Sequence, residues 1–175
     1  MLGEIWTYAE FARAAVHSAE ADAFEYGNGV WFPNGGPLAA LRAALPTWFP
    51  RVGEILTLIG SHSLLATPSE TQFDDPKLHE LINRYLRGAK GTGARDRARI
   101  FRLAWDFVGS ALAGRNELYE RFYLASGARN YQLANILAPK QRARRLVDQL
   151  LGLASQGADN DADPIRQTIN FPRRI

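Results

Sequence analysis

The stretch ARDRARIFRLAWDFVGSALAGRNELYERFY, residues 94–123, decides the fold. Its apolar residues Ile100, Phe101, Leu103, Ala104, Trp105, Phe107, Val108, Ala111 and Leu112 recur at steps of three and four, not two. They spread over much more than one helical stripe. A helix that is apolar nearly all round is normally buried between neighbours, so one long buried helix is expected here. In a chain of 175 residues, one of those neighbours can be another subunit. Arg102 and Asp106 lie four apart inside it, and a charge in such a setting needs a partner. Two readings stand: an ion pair that fixes helix register, or part of a polar wall around a cofactor. Arg95, Arg97 and Arg99 crowd the start of the helix, where its dipole does not favour cations. Anionic partners are expected for them: carboxylates of this chain or of another subunit, or a cofactor phosphate.

The helical period continues outward in both directions. Residues 4 to about 26 place Ile5, Tyr8, Phe11, Ala12, Ala15 and Ala19 on one face, and Gly27-Asn28-Gly29 stops that helix. Val30–Pro37 reads as a loop whose aromatics, Trp31 and Phe32, are expected to pack against something. A second helix starts near Pro37 and runs towards His62, with Pro46 and Pro50 each expected to end or kink it. Thr67-Pro68-Ser69 is a turn. Asp75-Pro76 opens a short helix, since Asp caps free amides and Pro suits the first position. Leu78, Leu81, Ile82, Tyr85 and Leu86 form its face, and Gly88, Gly91 and Gly93 end it. Beyond the long helix, Tyr131–Leu137 continues a helical path to Pro139. Residues 140–154 form an amphipathic helix with Leu146, Val147, Leu150 and Leu151 inward. The expected fold is an all-α helical bundle over residues 1–154, followed by a polar tail, 155–175, expected to be disordered.

Composition bounds the function. Hydrophobic residues make up 46% and charged residues 22%, which suits one globular domain. The net charge of +3 is spread along the chain, with clusters at Arg95–Arg102 and Lys140–Arg145, so nucleic-acid binding is the weaker reading. There is no Cys, which removes disulfides, thiolate metal sites and cysteine nucleophiles. No apolar run reaches the roughly 18 residues a membrane span needs. The opening Met1-Leu2-Gly3-Glu4-Ile5-Trp6 has no basic start before an apolar run, unlike a secretory signal. A soluble, cytoplasmic protein with no membrane or nucleic-acid partner is expected.

Candidate chemistry is sparse. His17, His62 and His79 do not pair at metal-ligand spacing. His17 lies three residues before Glu20, the spacing of a surface pair. His79 follows Asp75 by four, but Asp75 is better used as a cap. His62, in Gly60-Ser61-His62-Ser63, sits either where backbone approaches a ligand or at a helix C-terminus that favours it by dipole. Small residues at Leu124-Ala125-Ser126-Gly127 leave room for a ligand, and a helix starting after Gly127 would offer free amides to an anion. A simple connector is the other reading.

Arg97-Ala98-Arg99-Ile100-Phe101-Arg102-Leu103-Ala104-Trp105-Asp106-Phe107-Val108-Gly109-Ser110, followed by Arg115-Asn116-Glu117-Leu118-Tyr119-Glu120-Arg121-Phe122-Tyr123, closely resembles the C-terminal domain of the 4-hydroxyphenylacetate 3-hydroxylase family. Tyr8–Ala15 and Ile59-Gly60-Ser61-His62 resemble its earlier helices, and the likeness covers about residues 1–153. It implies an acyl-CoA-dehydrogenase-like fold, of which this chain is the C-terminal bundle. Family members are two-component monooxygenases that hydroxylate phenols using O2 and reduced FAD supplied by a partner reductase. They are commonly homotetramers with these bundles at the centre. The resemblance places part of the flavin site on Leu124, Ala125, Ser126 and Gly127, where many members carry Gly-Asp-Pro. It places no catalytic residue and no metal on this chain; the phenol-binding and catalytic residues belong to the N-terminal and middle domains. The chain alone is therefore expected to be inactive. Related 4-hydroxybutyryl-CoA dehydratases use Cys-held iron–sulfur clusters, and the lack of Cys argues against that branch. The alternative to an enzyme piece is a non-catalytic helical oligomerisation module.

Overall fold

The computed structural model describes residues 1–123 and 125–153, so the expectation of a disordered tail at 155–175 lies outside the described residues. The described chain is helical apart from one hairpin. Its helices are α1 (Leu2–Ala21), α2 (Gly35–Gly60), α3 (Glu70–Asp74), α4 (His79–Tyr85), α5 (Ala94–Val108), α6 (Ala111–Phe122), α7 (Gly127–Leu137) and α8 (Lys140–Leu151). The hairpin, β1 (Phe24–Gly27) and β2 (Val30–Phe32), follows α1, and a 3-10 turn at Ser61–Leu64 follows α2. Among the described residues two compact units emerge: Met1–Ile5 with Pro46–Tyr123, and Trp6–Leu45 with residues 125–153.

The hairpin corrects the reading of 22–37. Asn28 and Gly29 both take positive φ, 54° and 77°, as the central pair of a tight hairpin turn requires. The β-forming residues Phe24, Val30, Trp31 and Phe32 flank it, with Phe24 opposite Phe32 and Glu25 opposite Trp31. Asn-Gly here joins two strands, and α1 has already ended at Ala21. Trp31, expected to be packed, is 64% exposed.

Helix α2 corrects the second expectation, because it runs through both Pro46 and Pro50. Each Pro lacks an amide donor, and the two are spaced one turn apart. The amide missing at Pro50 is the one that would have met the Pro46 carbonyl, so the two defects fall in consecutive turns. The helix also starts earlier than expected. Asn34 Oδ1 accepts the Gly36 amide at 2.9 Å, and Pro37 falls in the first turn, where no intrahelical donor is needed.

The single long helix expected over 94–123 is two. Gly109 caps α5, and Ser110 caps α6 through Oγ, which accepts the Ala113 amide at 3.1 Å. Gly109 is required here: a Cβ on it would lie 2.5 Å from the Trp105 ring. Ser110→Ala is expected to lower stability by about 1 kcal/mol. A urea midpoint equal to that of the parent would show that the cap contributes nothing.

The core of the first unit is built on Phe73, Ile82, Ala94 and Ala98, with Leu78 and Leu86 packed against it. Ala94 and Ala98, one turn apart, are the buried face of α5. The large apolar residues point elsewhere: Leu103 is 72% exposed, and Ile100, Leu112 and Phe122 are exposed as well. The expectation of an all-round buried helix is therefore wrong within this chain. Small residues let α5 approach α3 and α4 closely, and its larger ones face away from that contact. In the second unit the buried residues are small or polar: Ala19, Ala43 and Asn130. The Asn34 amide donates to the Ala19 carbonyl at 2.8 Å, tying the end of the hairpin to α1.

Candidate functional site

The segment singled out for flavin lies at the start of α7. Leu124 is outside the described residues. Ala125 takes φ 84°, a left-handed conformation unusual for a residue with a Cβ. Ser126 is the N-cap, yet its hydroxyl makes no capping bond, and Gly127 is the first helical residue. The only first-turn partner among the described residues is backbone: the Asn130 amide donates to the Ser126 carbonyl at 3.1 Å. Asn130 is 2% exposed, and its Nδ2 donates to the Ala125 carbonyl at 3.3 Å. This buried side chain holds the left-handed residue in place. A Cβ on Gly127 would meet nothing within 4 Å. The result is an open helix N-terminus with amides left for an anion, and with the helix dipole in its favour.

A separate cleft of about 650 Å³ lies in the first unit, between α2 and the α5–α6 corner. Phe49 and Phe107 line it, with ring centroids 6.0 Å apart. Its cations are already committed. Arg51 donates through Nε to Glu4 at 2.7 Å and through Nη1 to Glu54 at 2.6 Å. These bonds, to Glu4 first and Glu54 second, hold the guanidinium above its ordinary pKa. Arg121 donates to Glu117 through Nε and Nη2, at 2.9 and 2.7 Å. Those pairings leave the cleft poorly suited to phosphate.

The charged residues of the long motif prove structural. Arg95 pairs with Glu70 and Asp74, and lies over the Phe73 ring at 5.3 Å. Its pKa is raised, chiefly by the Asp74 hydrogen bond. Arg99 pairs with Asp96, while Arg97 donates to the Leu86 carbonyl and covers Phe101. The expected Arg102–Asp106 pairing does not form. Arg102 instead donates to the Pro68 carbonyl and sits 3.8 Å from Glu70, whereas Asp106 is exposed and needs no partner. Residues four apart on α5 diverge here because α3 offers Arg102 a carboxylate from another element.

The histidines take ordinary roles. His17 lies 3.7 Å from Glu20 on an exposed face. His79 contacts the Phe73 carbonyl through Nδ1 and Asn83 through Nε2, both at 3.0 Å, while Asp75 Oδ1 caps the turn by accepting the Lys77 amide. His62 is exposed at the mouth of a small cavity of about 80 Å³. Among the described residues, no three His, Cys, Asp or Glu side chains cluster as a metal would need, and no helix is long and apolar enough to cross a membrane.

Comparison with known proteins completes the picture. An archaeal 4-hydroxybutyryl-CoA dehydratase from N. maritimus superposes with a TM-score of 0.72 at 18% identity, over 86% of this chain and 30% of that one, a likeness of fold alone. The described chain thus shares the helical fold of that part of the dehydratase. The sequence profile of the 4-hydroxyphenylacetate 3-hydroxylase C-terminal domain (HpaB) matches residues 1–152, and the chain belongs to that family. The 4-hydroxyphenylacetate 3-monooxygenase oxygenase component of Thermus thermophilus is 40% identical over 154 residues, which are 86% of this chain and 32% of that protein. The crystal structure of an HpaB oxygenase component complexed with FAD matches with a TM-score of 0.78 and 36% identity, over 85% of this chain and 31% of that one. The chain therefore spans about a third of the length of these relatives, and the third is the C-terminal one.

Proposed function

We propose that residues 1–154 act as the C-terminal domain of a two-component, flavin-dependent aromatic 3-monooxygenase of the 4-hydroxyphenylacetate type, followed by a polar tail at 155–175. Its contribution is assembly, as part of a homotetramer, and one wall of the flavin site at Leu124, Ala125, Ser126 and Gly127. The observation that carries this reading is the match of the family's C-terminal domain over residues 1–152, which hold all eight helices of the described residues. When bound, reduced FAD supplied by a partner reductase provides the electrons with which one oxygen atom of O2 enters the phenol ring and the other leaves as water. This chain's residues bind and enclose. The α7 amides take the negative charge of the cofactor, Asn130 holds Ala125 in the conformation that opens that helix end, and the exposed apolar faces exclude water once covered. The protein works in the cytoplasm.

The test is complementation. The 175-residue chain, given reduced FAD, O2 and 4-hydroxyphenylacetate, is expected to yield no catechol above the uncatalysed background. Co-expressed with the N-terminal two thirds of the Thermus thermophilus relative, it is expected to bind FAD and form product. Hydroxylation by the chain alone would overturn the proposed division of labour. The second reading, a non-catalytic oligomerisation module, draws on the exposed Ile100, Leu103, Leu112 and Phe122. Self-association without any gain of flavin binding in the co-expressed complex would favour it.

A further inference from the structure

Helix α8 is the most strongly amphipathic element of the second unit and the least covered. On a helical projection Leu146, Val147, Leu150 and Leu151 fill an arc of about 140°, and Leu153 follows the left-handed Gly152 that ends the helix. All five are exposed, Leu150 at 77%, against the expectation that this face turns inward. Arg142 and Arg144 lie on the two margins of that arc. Lys140, Arg142 and Arg144 stand in its first turn and a half, with no acid there. Cations at a helix N-terminus oppose the dipole, so α8 on its own is electrostatically disfavoured at this end.

The opposite arrangement occurs in the same unit. The C-terminal end of α1 carries Glu20, with Asp22 just beyond it and no basic residue in its last turn. Anions at a helix C-terminus oppose the dipole as well. Beside them in sequence, the hairpin presents Glu25 opposite Trp31, with Val30 and Phe32 also exposed. One surface is apolar and acidic, the other apolar and basic, and each carries charge of the sign its own helix end disfavours. Pairing α8 with α8 would set basic against basic. Pairing α8 with the α1–hairpin surface offsets both dipole conflicts and covers both apolar sets.

We propose that α8 of one copy docks on the end of α1 and the hairpin of a second copy, and reciprocally, forming a two-fold contact. This rests on the self-assembling reading above and names its surfaces. A two-fold operator makes both contacts identical, so the pair closes without growing into a fibre.

Charge-swapped chains test it. One variant carries Arg142→Glu and Arg144→Glu, the other Glu20→Lys and Asp22→Lys. Each substitution suits its own helix dipole, so folding is expected to be intact, and circular dichroism provides the check. By analytical ultracentrifugation the parent chain is expected to associate. Each variant alone should associate at least about tenfold more weakly, because attraction becomes repulsion. An equimolar mixture of the two variants should recover the parent's association, since both contacts are then again between opposite charges. Variants that associate like the parent would overturn this contact while leaving assembly through α5 and α6 standing. Recovery in a chain carrying all four substitutions, but not in the mixture, would place the contact within one chain and overturn the exchange. A parent chain that stays monomeric at every concentration would overturn the assembly reading itself.

Discussion

Phe73→Ala is expected to lower the unfolding free energy of the chain by about 3–5 kcal/mol. Phe73 is 1% exposed and is one of the largest side chains fully enclosed in the described structure. Its neighbours, Ile82, Ala94 and Ala98, are held by the backbones of α4 and α5, so the vacated volume cannot close. Arg95 adds a second loss, because its guanidinium lies over the ring while pairing with Glu70 and Asp74 on the same short helix. Removing the ring uncovers that cation's stacking surface and loosens the tie between α3 and α5. With the urea dependence typical of a domain this size, the midpoint should fall by about 2 M. A loss below about 1 kcal/mol would mean that this cluster is not the core. Leu103→Ala serves as contrast: it sits on the opposite, exposed side of α5 and should cost under about 0.5 kcal/mol in the isolated chain.

Ser126→Trp is expected to weaken FAD binding at least about tenfold in the complex of this chain with the rest of the enzyme, because the indole would fill the space in front of the α7 amides. Ser126→Ala should leave affinity within about threefold, since the hydroxyl makes no capping bond to lose. The contrast separates obstruction of the site from damage to the helix. Equal flavin affinity for the parent and the Trp variant, read by fluorescence titration, would remove Ala125, Ser126 and Gly127 from the cofactor's surroundings.

The two results bear on a side chain packed against the helix that carries the motif and on the segment that follows the motif. Arg97 and Arg102 belong to the stretch that carries the family resemblance and Arg95 lies just before it, and all three serve the fold: Arg95 and Arg102 pair with α3 carboxylates and Arg97 reaches a carbonyl before α5. In the segment that follows the motif, Ser126 makes no capping bond and a Cβ on Gly127 would meet nothing within 4 Å, which is why the proposed flavin wall is put there. A long motif of this kind identifies a family by its folding determinants. Its chemistry has to be sought where side chains are small and backbone is left free.

Helix-forming period, the ending of α4 by glycines and the absence of any Cys chemistry were legible in the residues alone, whereas the helix expected to open at Asp75-Pro76 starts at His79, after a turn in which Asp75 accepts the Lys77 amide. The hairpin was legible too, in Asn28-Gly29 between β-forming residues. It was misread because one glycine-rich run serves a helix stop and a tight turn equally well until the strands are seen to pair. Persistence of α2 through two prolines, the break at Gly109 beneath the Trp105 ring, and the choice of Glu70 over Asp106 by Arg102 were settled only in three dimensions. So was the outward orientation of the large apolar residues of α5 and α8. Periodicity states which residues share a face, but the face that is buried depends on which neighbour is small enough to approach. In α5 that neighbour meets Ala94 and Ala98, leaving Ile100 and Leu103 exposed.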